Sequence, residues 1–234
     1  MRNIISIILL FIGSAAVAQS GYMDNALNYN RLIRERTGDG VYKVIGNFRV
    51  VGTSYLFGEK NKGNLFSTEA KAYNIYLSYN TYNQEVEFYS SANPDKPLVK
   101  EPGTVDSFVI NDNIEVGIIK PIKFVYATHI GATDKFYYQE IVSGGRFSLY
   151  KRYKSELGYV STNYVQSELR QFDMTYDYYY SDNTSKGIKK LKANPGFVTK
   201  EFKGIKDVSG IATSDAFSMN PEETLIKVFT TLNN

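Results

Sequence analysis

Glu85 and Glu87 are the first residues to weigh for chemistry. They stand two apart in the alternating run Glu85-Val86-Glu87-Phe88. On a β-strand that spacing puts both carboxylates on one face, roughly 6.6–6.8 Å apart. The separation overlaps the one at which paired carboxylates hydrolyse glycosidic bonds with inversion. Any two glutamates so placed share it, and charges on a solvated strand face are the commoner case, so catalysis by this pair is the least favoured reading. His129 is the only histidine in the chain. An imidazole metal site usually draws on two or three, and a nucleophile–base pair needs a partner that no local pattern supplies. Asn111-Asp112-Asn113 offers oxygens of the kind calcium takes, but without the glutamate pattern of a loop built for that ion. The glycine-rich phosphate loops, the H-E-x-x-H motif and the serine elbow are all absent from the sequence. The chain is therefore read as non-enzymatic, with no cofactor and no metal expected.

Tyrosine is the side chain best supplied for binding. The chain has 20 tyrosines and 14 phenylalanines and no tryptophan. Tyr76 and Tyr89 share the alternation of Glu85 and Glu87, and Tyr176, Tyr178 and Tyr180 share one face of a later run. Such rows stack on sugars or line a groove for an apolar ligand. They also pack a sheet that lacks tryptophan, which is the commoner use. Tyr76, Glu85, Glu87, Tyr89, Tyr176, Tyr178 and Tyr180 form the candidate binding surface. Lys186, Lys189, Lys190, Lys192, Lys200, Lys203 and Lys206 make a later segment locally basic. That run reads as a solvated face, with contact to an anionic envelope component as the functional alternative.

The elements that would hold these residues are mostly strands. Ala72–Tyr89 reads as a hairpin with Asn80-Thr81-Tyr82-Asn83 as its loop, setting Leu77 opposite Val86 and Ile75 opposite Phe88 on one apolar face. The other face, carrying Asn74, Tyr76, Ser78, Glu85, Glu87 and Tyr89, is expected to be wet. Val41–Val51 suits a strand or a strand pair bent at Gly46. Ser54–Phe57 and Asn64–Ser67 flank a glycine-bounded tip at 58–63, and Val105–Ile110 and Ile114–Ile119 flank Asn111-Asp112-Asn113. Ile122–Thr128 is extended. Phe136–Val142 and Arg146–Tyr153 flank Gly144-Gly145, a turn that would oppose Val142 to Phe147 and Phe136 to Tyr153. Ala92–Gly103, with three prolines, reads as a connection and not a central strand. Tyr164–Arg170 fits strand or helix, and Gln171–Tyr180 is taken as the last strand.

Helices are expected at both ends. Asp24–Arg36 has a capping aspartate and arginines near its C-terminal end. Thr184–Ala193 is lysine-rich with helical period, although Gly187 costs it about 1 kcal/mol. In the final segment Asn220 caps, Pro221 takes the first helical position and Glu223 completes a capping box. Leu225, Ile226, Phe229 and Leu232 then line one side, which is expected to cover the greasy face of the sheet.

Arg2, the apolar run Ile4–Ile12 and Ala16-Val17-Ala18 have the layout of a secretory signal peptide at residues 1–18, too short to span a bilayer. Residues 19–234 are then one β-rich domain, with 181–234 as its helical C-terminal segment. Export to the periplasm, the outer-membrane region or the medium is expected, and no later apolar run is long enough for a spanning helix. The chain contains no cysteine, so no disulfide can staple it and its core alone must hold it. Without Arg2 the chain carries 26 basic and 24 acidic residues. That balance gives no electrostatic case for nucleic acid.

Gly52-Thr53-Ser54-Tyr55-Leu56, Tyr73-Asn74-Ile75-Tyr76 and Tyr82-Asn83-Gln84-Glu85-Val86-Glu87-Phe88 together resemble a family of small secreted β-rich proteins of Bacteroidetes-type Gram-negative bacteria. The resemblance implies a compartment and a layout, a β-rich body followed by a helical tail, and carries no catalytic residue with it. The expected fold is mainly β with some α: an antiparallel curved sheet or open barrel, a short N-terminal helix, and a C-terminal helical segment packed on the sheet. The expected function is a secreted or periplasmic binding or structural module whose partner is an envelope protein, a glycan or an apolar ligand. A periplasmic carrier holding lipid in a concave sheet is the alternative, and a carboxylate hydrolase ranks last.

Overall fold

The computed structural model describes residues 29–37, 41–100, 103–160 and 169–234. The expected signal peptide, the start of the expected N-terminal helix and most of the ambiguous Tyr164–Arg170 lie outside them.

Among the described residues twelve strands form one open, mostly antiparallel sheet. In chain order they are β1 (Tyr29–Arg36), β2 (Tyr42–Val51), β3 (Tyr55–Phe66), β4 (Lys71–Asn80), β5 (Glu85–Ser90), β6 (Asn93–Val99), β7 (Ser107–Ile110), β8 (Ile122–Tyr126), β9 (Tyr137–Val142), β10 (Phe147–Tyr159), β11 (Leu169–Asp182) and β12 (Ile188–Leu191). Three helices follow, α1 (Pro195–Phe202), α2 (Ser214–Met219) and α3 (Pro221–Asn233). Across the sheet the order is β1-β2-β11-β10-β9-β8-β7-β3-β4-β5-β6, with β12 also on β11. The β2–β11 pairing is parallel and covers three residues on each strand, Arg49–Val51 against Leu169–Gln171.

The sheet curls strongly. Tyr79 on β4 lies four places from β9 in the strand order, yet its ring stands 5.8 Å from that of Tyr137 and 5.4 Å from those of Phe108 and Phe124. Phe108 and Phe124 stack at 4.7 Å. These rings, with Leu65, Leu77, Val86, Ile110 and Tyr153, fill the inside of the curl. Glycine permits the tightest approach. A Cβ on Gly63 would sit 2.2 Å from the Val109 carbonyl oxygen and 2.8 Å from Leu77 Cδ2, so β3 and β7 meet there only because the side chain is missing.

The three helices cover a different stretch of sheet, the β10–β11–β12 end. Val198, Phe202, Phe217, Leu225, Val228, Phe229 and Leu232 pack on Phe147, Leu149, Tyr178, Tyr180 and Leu191. Asn220 caps α3 as expected, its Oδ1 accepting from Glu223 N at 3.0 Å. The last turn of α3 is tied to the sheet by Asn233. Its Oδ1 accepts from Phe147 N (2.8 Å) and its Nδ2 donates to Phe147 O (2.9 Å), extending the strand's hydrogen bonding through a side chain. The expectation that this helix covers the apolar face of the β4–β5 hairpin is corrected. Ile75, Leu77, Val86 and Phe88 belong to the curl's own interior, closed by strands.

Several other local expectations are corrected. Residues 29–36 form a strand where a helix was expected, because Tyr42–Val51 supplies a full antiparallel partner, and the sequence Asn28-Tyr29-Asn30 in the middle of the expected helix weakens the helical alternative. Ile188–Leu191 is likewise a strand, paired with Tyr178–Ser181, so the segment after 181 is not wholly helical and Gln171–Tyr180 is not in the last strand. The expected hairpin tip at 58–63 is a bulge inside the single strand β3. Leu56 opposes Tyr79 and Asn61 opposes Leu77, so the residues between them loop out, with Phe57, Gly58 and Lys60 at positive φ. Asn61 Nδ2 braces the loop by donating to Phe57 O and Gly58 O. Beyond Asn111-Asp112-Asn113 the chain makes a 3-10 turn, Ile114–Val116, instead of a returning strand, and β8 takes the place beside β7. The proline-bearing stretch after Ala92 includes an edge strand, β6, at the end of the order where missing N–H donors cost least. Among the described residues no helix is long and apolar enough to cross a membrane.

Candidate functional site

The corner between β4 and β5 is where the chain gathers its buried polar groups. The expected hairpin forms, but two residues out of register. Leu77 opposes Phe88, Tyr79 opposes Val86 and Asn80 opposes Glu85, leaving Thr81–Gln84 as the turn. A slip of two preserves which side chains share a face. Asn80 sets the turn, its Oδ1 accepting from Tyr82 N (3.1 Å) and Asn83 N (3.2 Å). The turn then bridges the curl. Thr81 N donates to Ser54 O, Ser155 N donates to Thr81 O, and Gln84 Nε2 donates to Tyr153 O at 3.0 Å.

The face expected to be wet is largely buried. Glu85 is 3% exposed, Glu87 6%, Ser78 0% and Tyr89 8%, while Tyr76 remains 45% exposed. What covers it comes from far along the chain. The β1–β2 hairpin folds over the corner and places Arg36 Nη1 2.9 Å and the Tyr42 hydroxyl 2.7 Å from Glu85 Oε1. Arg36 N donates to Asn83 Oδ1 and Asn83 Nδ2 donates to Arg34 O. Glu87 accepts from the Tyr55 hydroxyl on both oxygens at 3.0 Å and from Asn80 Nδ2 at 3.4 Å. Burial pushes the Glu87 carboxyl above the usual carboxylate range, opposed by those two donors. Burial, and then the neighbouring carboxylate, pushes the hydroxyls of Tyr42 and Tyr55 well up, so both remain donors. Each carboxylate is thus held by its own fixed donors.

Against this cluster lies a cleft of about 440 Å³. Its lining includes Ile33 and Arg34 of β1, Tyr55 of β3, Asn80, Tyr82 and Asn83 of the β4–β5 corner, and Phe172 of β11. The Tyr82 and Phe172 rings meet edge-on at 5.4 Å. Neither glutamate lines the cleft. Arg34 is exposed and Tyr82 is half-buried.

The other expected tyrosines lie on β11. Tyr178 and Tyr180 are 4% and 5% exposed, beneath the helices, whereas Tyr176 is 51% exposed. The Tyr178 hydroxyl donates to Glu222 Oε2 at 2.9 Å, an oxygen also 2.6 Å from Lys151 Nζ, and the Tyr180 hydroxyl donates to Glu201. Lys151 Nζ lies 4.1 Å from the centroid of the Tyr176 ring. Tyr176 and Tyr178 line a second cleft of about 390 Å³ with Leu191, Phe217 and Pro221. The seven candidate residues therefore divide into two groups, one on the β4–β5 hairpin and one on β11. Five of the seven are buried in structural contacts.

His129 pairs with Asp106, Nε2 to Oδ1 at 3.0 Å, on a half-exposed surface. Asn113 Oδ1 caps the 3-10 turn by accepting from Glu115 N. Among the described residues no group of three or more histidine, cysteine, aspartate or glutamate side chains is arranged to hold a metal ion. The residues that sequence reasoning missed include Ile33, Arg34, Arg36, Tyr42, Tyr55, Tyr82 and Phe172. Tyr55 and Tyr82 sat inside the stretches that resemble a family, but nothing local marks Arg36 or Phe172.

The fold and this corner define a mostly β protein with an open curled sheet and a buried acid–tyrosine–arginine cluster. No family model, curated protein or solved structure matches the chain.

Proposed function

We propose that the protein is a non-enzymatic binding module whose ligand, of the glycan class, sits in the cleft between β1 and the β4–β5 corner. The observation that carries this is the cleft's composition. The Tyr82–Phe172 pair offers apolar ring surface, the exposed Arg34 guanidinium offers donors for hydroxyl or acidic groups, and Ile33 adds a further apolar contact. Aromatic faces beside a few placed polar groups are what a sugar ring requires. The carboxylates nearby act as braces for the elements around the cleft. Glu85 is held by Arg36 and Tyr42 and Glu87 by Tyr55 and Asn80, which speaks against a hydrolase that needs them free. The carrier alternative draws less support, because the inside of the curl is filled by Tyr79, Phe108, Phe124 and Tyr137. Export of the protein and an origin in Bacteroidetes-type bacteria belong to the same reading and rest on residues 1–18 and the family resemblance.

Titration calorimetry of the full chain against a panel of envelope oligosaccharides tests the assignment. At least one should bind, and Tyr82→Ala should weaken it about tenfold, the scale of an aromatic contact. Binding that is indifferent to Tyr82 and to Phe172→Ala would place the ligand elsewhere and refute the reading.

A further inference from the structure

The outer surface of the helical layer combines lysines that make no ion pair among the described residues with exposed apolar side chains. α1 buries Val198 and Phe202, and helical spacing turns Gly196, Lys200 and Lys203 to the opposite side. Between α1 and the start of α2 lies an open cleft of about 560 Å³ whose lining includes Thr199, Lys200, Lys203, Ser209, Thr213 and Ser214 and, among the described residues, no acidic one. Neighbouring lysines are engaged. Lys190 pairs with Asp177 at 2.7 Å, Lys227 with Glu223 at 2.8 Å, and Lys206 donates to Thr231 O at 2.8 Å. The acids nearest in sequence are also engaged, Glu201 by the Tyr180 hydroxyl and Asp207 by Ser209 N. Lys200 and Lys203 have no ion pair among the described residues. Phe197, Ile205 and Met219, on the same two helices and the turn between them, are 49%, 44% and 87% exposed.

We propose that this face docks on an anionic lipid surface. A phosphate head group enters the cleft between Lys200 and Lys203, and Phe197, Ile205 and Met219 enter the boundary of the acyl chains. Each half of the surface needs the other for its explanation. Lysines near a membrane are drawn to anionic lipid, and exposed apolar side chains beside them supply burial that charge alone does not. The hydroxyls around the cleft are donors suited to phosphate oxygens. A free phosphate would use the lysines and hydroxyls but would leave three large apolar side chains in water.

Co-sedimentation of the full-length protein with vesicles tests this, using phosphatidylcholine with and without phosphatidylglycerol. The protein should pellet with the anionic vesicles, should not pellet with the neutral ones, and should be released by salt. Lys200→Gln with Lys203→Gln should weaken binding roughly twenty-five-fold, about fivefold per lysine. Met219→Ser should weaken it with both charges intact. Equal pelleting with neutral vesicles, no pelleting with anionic ones, or indifference to the lysine substitutions would overturn the proposal. So would indifference to Met219→Ser together with full competition by inorganic phosphate, which would assign the cleft to a soluble anion. Circular dichroism establishes that the variants fold. Should the double variant fail to fold, salt release of the wild-type protein still decides, since salt-insensitive binding contradicts a lysine–phosphate contact.

Discussion

Replacing Arg36 by alanine should open the β1–β2 hairpin while leaving the rest of the sheet closed. The Arg36 and Glu85 side chains are 7% and 2% exposed and stand 2.9 Å apart. Removing one partner of a buried pair strands the other charge away from water, at a cost of about 3–5 kcal/mol. Glu85 keeps the Tyr42 hydroxyl at 2.7 Å, which places the expected cost at the low end, about 3 kcal/mol. The hairpin is also held by a three-residue parallel pairing with β11, by the Tyr42–Glu85 contact and by the Asn83 hydrogen bonds to Arg36 N and Arg34 O; these ties are few, so the loss should appear as local opening before global unfolding. Native-state hydrogen exchange reads this directly. Amides in the β1–β2 ladder should exchange roughly a hundred- to two-hundred-fold faster, with no change in the β10–β11 ladder. Arg36→Met with Glu85→Met should restore most of the protection, because it removes the stranded charge. Acceleration below about fivefold in β1–β2, or equal acceleration in both ladders, would refute the reasoning that this ion pair is a local latch.

Three further outcomes follow from single residues. The folded-state carboxyl of Glu87 titrates above its ordinary value of 4.5, so its protonated form favours folding below that value and the benefit is lost as pH rises through the folded pKa. Glu87→Gln should therefore stabilise the protein at neutral pH and make little difference below 4.5, which paired urea titrations across pH would show. Asn233→Ala leaves the Phe147 N–H and C=O without their side-chain partners and should cost about 1–3 kcal/mol in chemical denaturation. Gly63→Ala drives a methyl into the Val109 carbonyl and Leu77 and should lower the melting temperature by an amount matching about 1–3 kcal/mol or more.

The β4–β5 hairpin shows how far alternation carries. Its two faces were legible because side chains alternate strictly, and even a two-residue slip kept Ile75, Leu77, Val86 and Phe88 together. The register was not legible, since it turns on Asn80 reaching two backbone amides instead of joining the loop. The α3 helix was legible down to its cap, because asparagine, proline and glutamate occur there in the order the helix start requires. β1 and β12 were misread as helices because their strand state comes from partners elsewhere, Tyr42–Val51 and Tyr178–Ser181. The same non-locality hid the site. Glu85 looked solvated until Arg36 and Tyr42, 49 and 43 residues away, were brought onto it.

The central claim is that the cleft bounded by Ile33, Arg34, Tyr82 and Phe172 is where this protein takes its ligand. Chemical-shift mapping of the isotopically labelled protein, titrated with the oligosaccharide that binds most tightly in calorimetry, tests it most directly. Shifts should concentrate at Ile33, Arg34, Tyr82, Asn83 and Phe172 and disappear in Tyr82→Ala. Shifts confined to Tyr176 and the second cleft, or to the helical layer, would contradict the assignment, as would a panel in which nothing binds.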